Sequence, residues 1–227
     1  MANKLAEQVE RVKLAKMIDQ SLLRMDATEN DVRNFCLEAK QYQFGTVAVN
    51  LVYVGLAAKL LKGSETKVDS SIAFPLGAST LEVKVLEIRD ALHKGADELD
   101  IVLNIGALRS GYYSVIREEM EALVEAAKGK TTKVILETCF LSDAEKVKAC
   151  QIAEEAGVDF VKTSTGFQKG GATVEDVRLM RHTVGDKVGV KAAGGVHTIQ
   201  DVLAMIEAGA NRIGTSRGVQ ILQEMGR

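Results

Sequence analysis

Two lysines of this 227-residue chain sit inside apolar runs that otherwise read as buried parallel strands: Lys162 in VDFVKTSTG (158–166) and Lys191 in VGVKAAGGV (188–196). Lysine is almost never fully buried alone, because moving its charge into a low-dielectric interior is costly unless it is paired or neutralised. The chemistry that suits such a position is attack of a neutral amine on a carbonyl carbon. At the ordinary lysine pKa only about 1 amine in 2,500 is neutral at pH 7, and a downward shift of about 3 units, roughly 4 kcal/mol, is needed to free half of them. Burial and a second ammonium nearby both push in that direction. A single strand lysine more often snorkels to the strand end and meets a carboxylate. Two at the same depth of successive strands, each followed by small polar residues or glycine, point to a reactive pair.

A third group fits the same picture. In ELDIVLNIGAL (98–108), Asp100 stands among Leu99, Ile101 and Val102, too deep in a strand to be a turn residue. A carboxylate there wants a cation, and Lys162 or Lys191 is the candidate; a purely structural ion pair is the alternative. Glu137, at the end of KVILETC, is a weaker fourth member. Gly194-Gly195 follows the Lys191 strand, and Gly214-Thr215-Ser216 leads into a short final helix expected from about residue 216. Glycine lets backbone N–H groups approach an anion, and a helix N-terminus adds partial positive charge, so both segments suit phosphate. Thr165 and Gly166 would close the site from the preceding loop.

The elements that must hold these groups alternate along the chain. Strands are expected at 17–23, 44–50, in the 66–77 segment, and at 97–103, 132–138, 158–163, 187–192 and 211–214. Between them lie helical patterns, the first capped by Thr28 and running to about 41, then 51–63, 79–94, 113–128, 142–156, 173–183 and 198–208. HKGADELDIV, EEAGVDFVKT and IEAGANRIGT repeat one helix-end, glycine, strand unit. Eight strand–helix units in a chain of this length imply a parallel α/β fold closed as a (β/α)₈ TIM barrel, one domain over 1–227. A short additional N-terminal helix (3–16) would present Leu5, Val9 and Val12 on one face. A doubly wound sheet is the competitor, but no GxGxxG follows the early strands, and the polar residues gather at the C-terminal ends of late ones.

Composition narrows the function. With 46% apolar and 26% charged residues and a net charge of -2, the chain has no electrostatic reason to take nucleic acid or an anionic membrane as partner. Cys36, Cys139 and Cys150 form no CxxC, which fits a reducing cytoplasm. His93, His182 and His197 form no HxH or HExxH, so neither metal nor cofactor is expected. No run is long and apolar enough for a membrane span or a secretory signal.

Together, Asp100 in ELDIVLNIGAL, Lys162 in VKTSTGF, Lys191 in VGVKAAGGV and the closing IGTS closely resemble the deoxyribose-phosphate aldolase family, over about residues 17–222. The resemblance implies a metal-free, class I (Schiff-base) aldolase, a lyase on a TIM barrel in deoxyribose phosphate catabolism. It would interconvert 2-deoxy-D-ribose 5-phosphate with D-glyceraldehyde 3-phosphate and acetaldehyde. Lys162 would form the imine, with Lys191 and Asp100 as proton relay. Asp19, Ser21, Thr165, Gly166, Gly194, Gly195, Gly214, Thr215 and Ser216 would bind substrate or its phosphate. A homo-oligomer, dimer or tetramer, is the expected state.

The chain departs from the family pattern in places. Asp19-Gln20-Ser21 stands for Asp-His-Thr, Leu22-Leu23-Arg24-Met25 for Leu-Leu-Lys-Pro, Leu51 for proline, Ala48 for cysteine and His197 for arginine. Two alternatives remain at this point: another phosphosugar barrel enzyme, such as an isomerase working through an acid/base pair, and a non-catalytic barrel that binds a sugar phosphate.

Overall fold

The computed structural model describes residues 2–225, with side chains from residue 10 onward. Eight parallel strands close into a barrel in sequence order: β1 (Ile18–Leu22), β2 (Thr46–Asn50), β3 (Lys67–Ile72), β4 (Glu98–Val102), β5 (Thr131–Ile135), β6 (Phe160–Lys162), β7 (Gly189–Ala193) and β8 (Arg212–Thr215). The fold is the expected (β/α)₈ TIM barrel, and β1 closes on β8 through Ile18 opposite Ile213.

The helices are α1 (Ala2–Met17), α2 (Glu29–Tyr42), α3 (Val54–Leu61), α4 (Leu81–His93), α5 (Ile105–Arg109), α6 (Tyr113–Ala127), α7 (Asp143–Glu155), α8 (Val174–Val184), α9 (Ile199–Glu207) and α10 (Gly218–Glu224). Local sequence explains their starts. Thr28, Ser142 and Thr198 each accept from the amide three residues on, while the acid at that position bonds back to the cap, a reciprocal arrangement that satisfies two orphan donors. No helix among the described residues is long and apolar enough to cross a membrane.

Three expectations need correction. Val12 is 40% exposed, and Leu14 and Ala15 take the buried side of α1 instead. The Gly45 amide donates to the Ala15 and Ile18 carbonyls, so the docking of α1 is set at its C-terminal end; the side chains of Leu5 and Val9 lie outside the described residues. The helix expected over 51–63 is a 3₁₀ turn, Leu51–Tyr53, followed by α3. The last helix begins at Gly218, not near 216, because the Gly218 amide donates to the buried Gln20 side chain at 3.0 Å. An additional short helix, α5, is held by Asn104, whose side chain accepts from the Ala107 amide at 3.1 Å.

Side chains alternate along each strand, so every second residue faces the barrel axis. Register then decides which of them meet: Asp100 lies opposite Lys133, Lys162 opposite Lys191, and Lys191 opposite Arg212. At the N-terminal end Phe160 fills the space beside Gly189, where any Cβ would collide with its ring. The Arg212 guanidinium lies over that ring, 5.7 Å from its centre. The opposite end is open.

Candidate active site

The barrel axis carries a cluster of charges. Asp19, Asp69, Glu98, Asp100, Lys133, Lys162 and Lys191 are all buried, with Arg212 half-buried below them. Lys162 donates to Asp100 Oδ2 at 2.5 Å, and Lys191 donates to the same oxygen at 2.7 Å. Their nitrogens are therefore within about 5.2 Å of each other, the sum of those two contacts. The two lysines thus form the close pair that their strand positions implied, and one carboxylate oxygen joins them.

Counter-charge is unevenly shared. Lys133 faces Asp69 (2.8 Å), Glu98 (2.9 Å), Asp100 (3.0 Å) and Asp19 (3.9 Å). Lys191 faces Asp19 (2.5 Å), Asp100 (2.7 Å) and Asp69 (3.3 Å). Lys162 faces Asp100 alone. The titration directions follow from this. Burial disfavours every one of these ammonium groups. For Lys133 the surrounding acids, Asp100 first, outweigh burial and hold it well above the ordinary lysine range. Asp100 and Asp19 do the same for Lys191, to a lesser degree. For Lys162, burial prevails, aided by the Lys191 charge, and its pKa falls. Asp100, buried among Lys133, Lys162 and Lys191, is held well below the carboxylate range despite its burial.

Above this cluster opens a cavity of about 300 Å³ whose lining includes Lys162 but neither Lys133 nor Lys191. Its walls contain Ser21, Thr165, Gly166, Gly194, Gly195, Gly214, Thr215 and Ser216, the segments that the sequence suggested would gather there. Gly194 and Gly195 have φ of 86° and 77°, the left-handed region that glycine enters without cost. The β6–α8 loop packs directly on them, for the Ala172 amide donates to the Gly194 carbonyl at 2.9 Å. Arg24 and His197 stand at the rim, with Arg24 paired to Asp26 at 2.7 Å and to Asp31 at 2.5 Å.

Asp19 belongs elsewhere than expected. It is fully buried, bound to Lys191 and to Arg212 (2.9 Å), and does not line the cavity. As the second residue of β1 it lies too deep, whereas Ser21, two residues further, reaches the wall. Two hydroxyls have prior partners: Thr165 donates to Glu137 at 2.5 Å, and Thr215 to the Val196 carbonyl at 2.7 Å. Glu137 does not join the lysines by contact. Its backbone turns left-handed (φ 52°), and its carboxylate also accepts from the Thr165 amide at 3.2 Å; burial raises its pKa.

Sequence reading missed Lys133, Asp69, Glu98 and Arg212. Lys133 carried the signal that revealed the other two lysines, since it stands within TTKVILE, an apolar strand pattern. Asp69 and Arg212 fell within expected strands, in the 66–77 segment and at 211–214, but Asp69 is followed by Ser70 and Ser71 and Arg212 follows Asn211, so neither stood out against an apolar run.

Comparison with known proteins decides what class of catalyst this is. The description "DeoC/LacD family aldolase" matches residues 13–224. The chain belongs to that family. It is thus an aldolase, a lyase, and neither the isomerase nor the sensor that the sequence left open. A protein of Streptococcus sanguinis named deoxyribose-phosphate aldolase is 56% identical over 93% of this chain and 96% of its own length. A relative of the same name from Clostridium tetani is 53% identical over 94% and 99%. Among solved structures, the tetrameric deoxyribose phosphate aldolase of Aeropyrum pernix superposes with TM-score 0.89 at 35% identity, covering 98% of this chain and 96% of that one.

Proposed function

We propose that the chain is a class I aldolase that interconverts 2-deoxy-D-ribose 5-phosphate with D-glyceraldehyde 3-phosphate and acetaldehyde through a Schiff base on Lys162. The observation that carries this reading is selective: of the three lysines on the barrel axis, Lys162 alone lines the cavity, and it alone is left with a single carboxylate partner and a lowered pKa. A neutral amine at the floor of a cavity is a nucleophile for a carbonyl held above it.

In the synthetic direction Lys162 attacks the aldehyde carbon of acetaldehyde, and loss of water gives the iminium. Removal of a proton from the adjacent carbon yields an enamine, which adds to the second aldehyde; water then releases the product. Lys191, kept protonated by Asp100 and Asp19, is the group that hands protons to and from this centre, with Asp100 linking it to Lys162. Gly194–Gly195 and Gly214–Ser216 hold the phosphate from loops seven and eight, the usual phosphate position of such barrels, with Ser21, Thr165 and Gly166 completing the wall. The cycle as written uses no metal or cofactor. We place the enzyme in the cytoplasm, in deoxyribose phosphate catabolism, with residues 1–227 as one barrel domain and a homo-oligomeric assembly, in line with the tetramer of the Aeropyrum pernix relative.

A coupled assay for glyceraldehyde 3-phosphate released from deoxyribose 5-phosphate, run with a chelator present, tests the activity. Borohydride added with acetaldehyde should leave a covalent mass on Lys162. Activity that survives borohydride, or an adduct on another residue, would sink the assignment.

A further inference from the structure

Asp69 has no part in the cycle just described, yet it is fully buried at the centre of the charged cluster. Charged groups face it from six strands: Asp19 on β1, Glu98 and Asp100 on β4, Lys133 on β5, Lys162 on β6, Lys191 on β7 and Arg212 on β8. Its register partner on β2 is Ala48, and β2 contains no ionisable residue. Apart from Lys67, whose solvent-exposed ammonium reaches Glu98 at 3.3 Å and is screened by water, the four acids and four bases of the cluster cancel when all are charged. Attack on a carbonyl requires Lys162 to be neutral, which leaves one excess negative charge in the interior. An uncompensated buried charge is strongly unfavourable, so one acid must take up a proton.

Geometry singles out Asp69 among them. Its Oδ2 makes the close approaches to Lys133 (2.8 Å) and Lys191 (3.3 Å), and its buried Oδ1 has no hydrogen-bond partner among the described residues. The corresponding oxygens of Asp100 and Asp19 stand against Lys133 at 3.0 Å and Lys191 at 2.5 Å. Asp69, Asp19 and Asp100 also bring one oxygen each within 4.8 Å of one another, a crowding of like charges that a proton on one of the three relieves. Burial, followed by the Asp100 charge, pushes the Asp69 pKa up to about 7, while Asp19 and Asp100 are held low.

We propose that Asp69 is the proton reservoir of the imine step, holding a proton while Lys162 is a free amine and releasing it as the iminium forms. The inference rests on the Schiff-base reading above. The proton count closes. The Lys162 nitrogen bonds to the carbonyl carbon to give a carbinolamine; the carbon–oxygen bond then breaks, and the departing hydroxyl needs one proton to leave as water. That proton passes from Asp69 through Asp100 and Lys191. The new cation at Lys162 is matched by the new carboxylate at Asp69, so the interior keeps its net charge and draws no proton from solvent. Hydrolysis of the imine returns it. Asp69 touches no substrate; it acts through Lys191 and Asp100.

Asp69→Asn tests this, because the amide keeps the shape and an acceptor for Lys133 but can neither release this proton nor become an anion. Adduct formation at Lys162 is followed with acetaldehyde and borohydride as pH is varied. In the unaltered enzyme the rate should hold up to about pH 7 and decline only above it, where Asp69 itself gives up the proton; in the variant it should be roughly 10²-fold slower below pH 7 and should fall as pH rises through the whole range, because water must supply the proton. A variant with the rate and pH profile of the unaltered enzyme would overturn the proposal. Absence of any Lys162 adduct in the unaltered enzyme would overturn the Schiff-base reading, and the reservoir with it. Should the variant not fold, difference infrared spectroscopy of the unaltered enzyme on mixing with acetaldehyde decides: a protonated-carboxyl stretch should vanish as imine forms, and its persistence would refute the reservoir.

Discussion

The molecule buries lysine in two ways, and only one of them makes a nucleophile. In the helix layer Lys84 of α4 is fully buried, donating to Glu119 of α6 at 2.6 Å and to the Val102 carbonyl at 2.8 Å. Glu119 also accepts from the Asn104 amide at 3.2 Å. One cation meets one anion, a second donor is used on a backbone carbonyl, and the side chain is closed off from solvent: Lys84 ties two helices to the end of β4. On the barrel axis Lys162 and Lys191 must share Asp100 Oδ2. Desolvation acts in both places, so burial by itself does not make a lysine reactive. Reactivity comes from a shortage of counter-charge at one amine, combined with access to a cavity.

The largest test of this contrast is Lys162→Met, which should abolish turnover and the borohydride adduct together. Next comes Lys191→Leu. It removes the proton relay, so turnover should fall by roughly 10² to 10⁴. It also removes a positive charge beside Lys162 and frees Asp100 for it, so the pKa of Lys162 should rise and the ascending limb of the pH–rate profile, where the amine becomes neutral, should move to higher pH. Near-normal turnover with an unmoved profile would show that burial alone tunes Lys162.

Lys84→Met should act on stability instead. Glu119 would be left buried without its cation, at a cost of about 3 to 5 kcal/mol, and Lys84→Met combined with Glu119→Leu should recover most of it. Denaturant titration reads the loss, and turnover per folded molecule should be unchanged. A fall in turnover as large as that of Lys191→Leu would break the comparison.

Asp69 supplies a pH test of the axial cluster. Its folded pKa is about 7, against about 3.9 in an unfolded chain. Between those values the folded state keeps a proton that the unfolded state has lost, so this group makes stability fall as pH rises, by at most about 1.4 kcal/mol per pH unit. Asp69→Asn should flatten that decline in thermal melts across the window. The smallest effect is expected at Gly195, whose φ of 77° sits beside open space. Gly195→Ala should cost about 1 kcal/mol in the left-handed region and raise KM for the phosphorylated substrate several-fold, with kcat little changed.

Much of this was legible in the residues. The strand–helix alternation follows from periods of 2 and 3.6 that reside in the chain itself, and caps such as Thr28 and Ser142 act within one turn, so the barrel and most element positions could be read. Lys162, Lys191 and Asp100 were visible because each violates an apolar run. Lys133 violates one as well, yet its meaning lies in its neighbours. Arg212 opens β8, where polar residues are common, and Asp69 stands in a β3 made polar by Lys67, Ser70 and Ser71, so nothing local separates a group facing the axis from one facing water.

What the sequence determined by itself, then, is which charged groups enter the interior and the barrel that receives them. Only the tertiary structure decided how those charges divide. Lysines that look alike along the chain meet different company because closure of β8 onto β1 and the strand register place Asp19 and Asp69 against Lys191 and Lys133 and leave Lys162 with Asp100 alone. Coulomb energy in a low-dielectric interior depends on separations of a few ångströms, and those distances exist only once the barrel has closed.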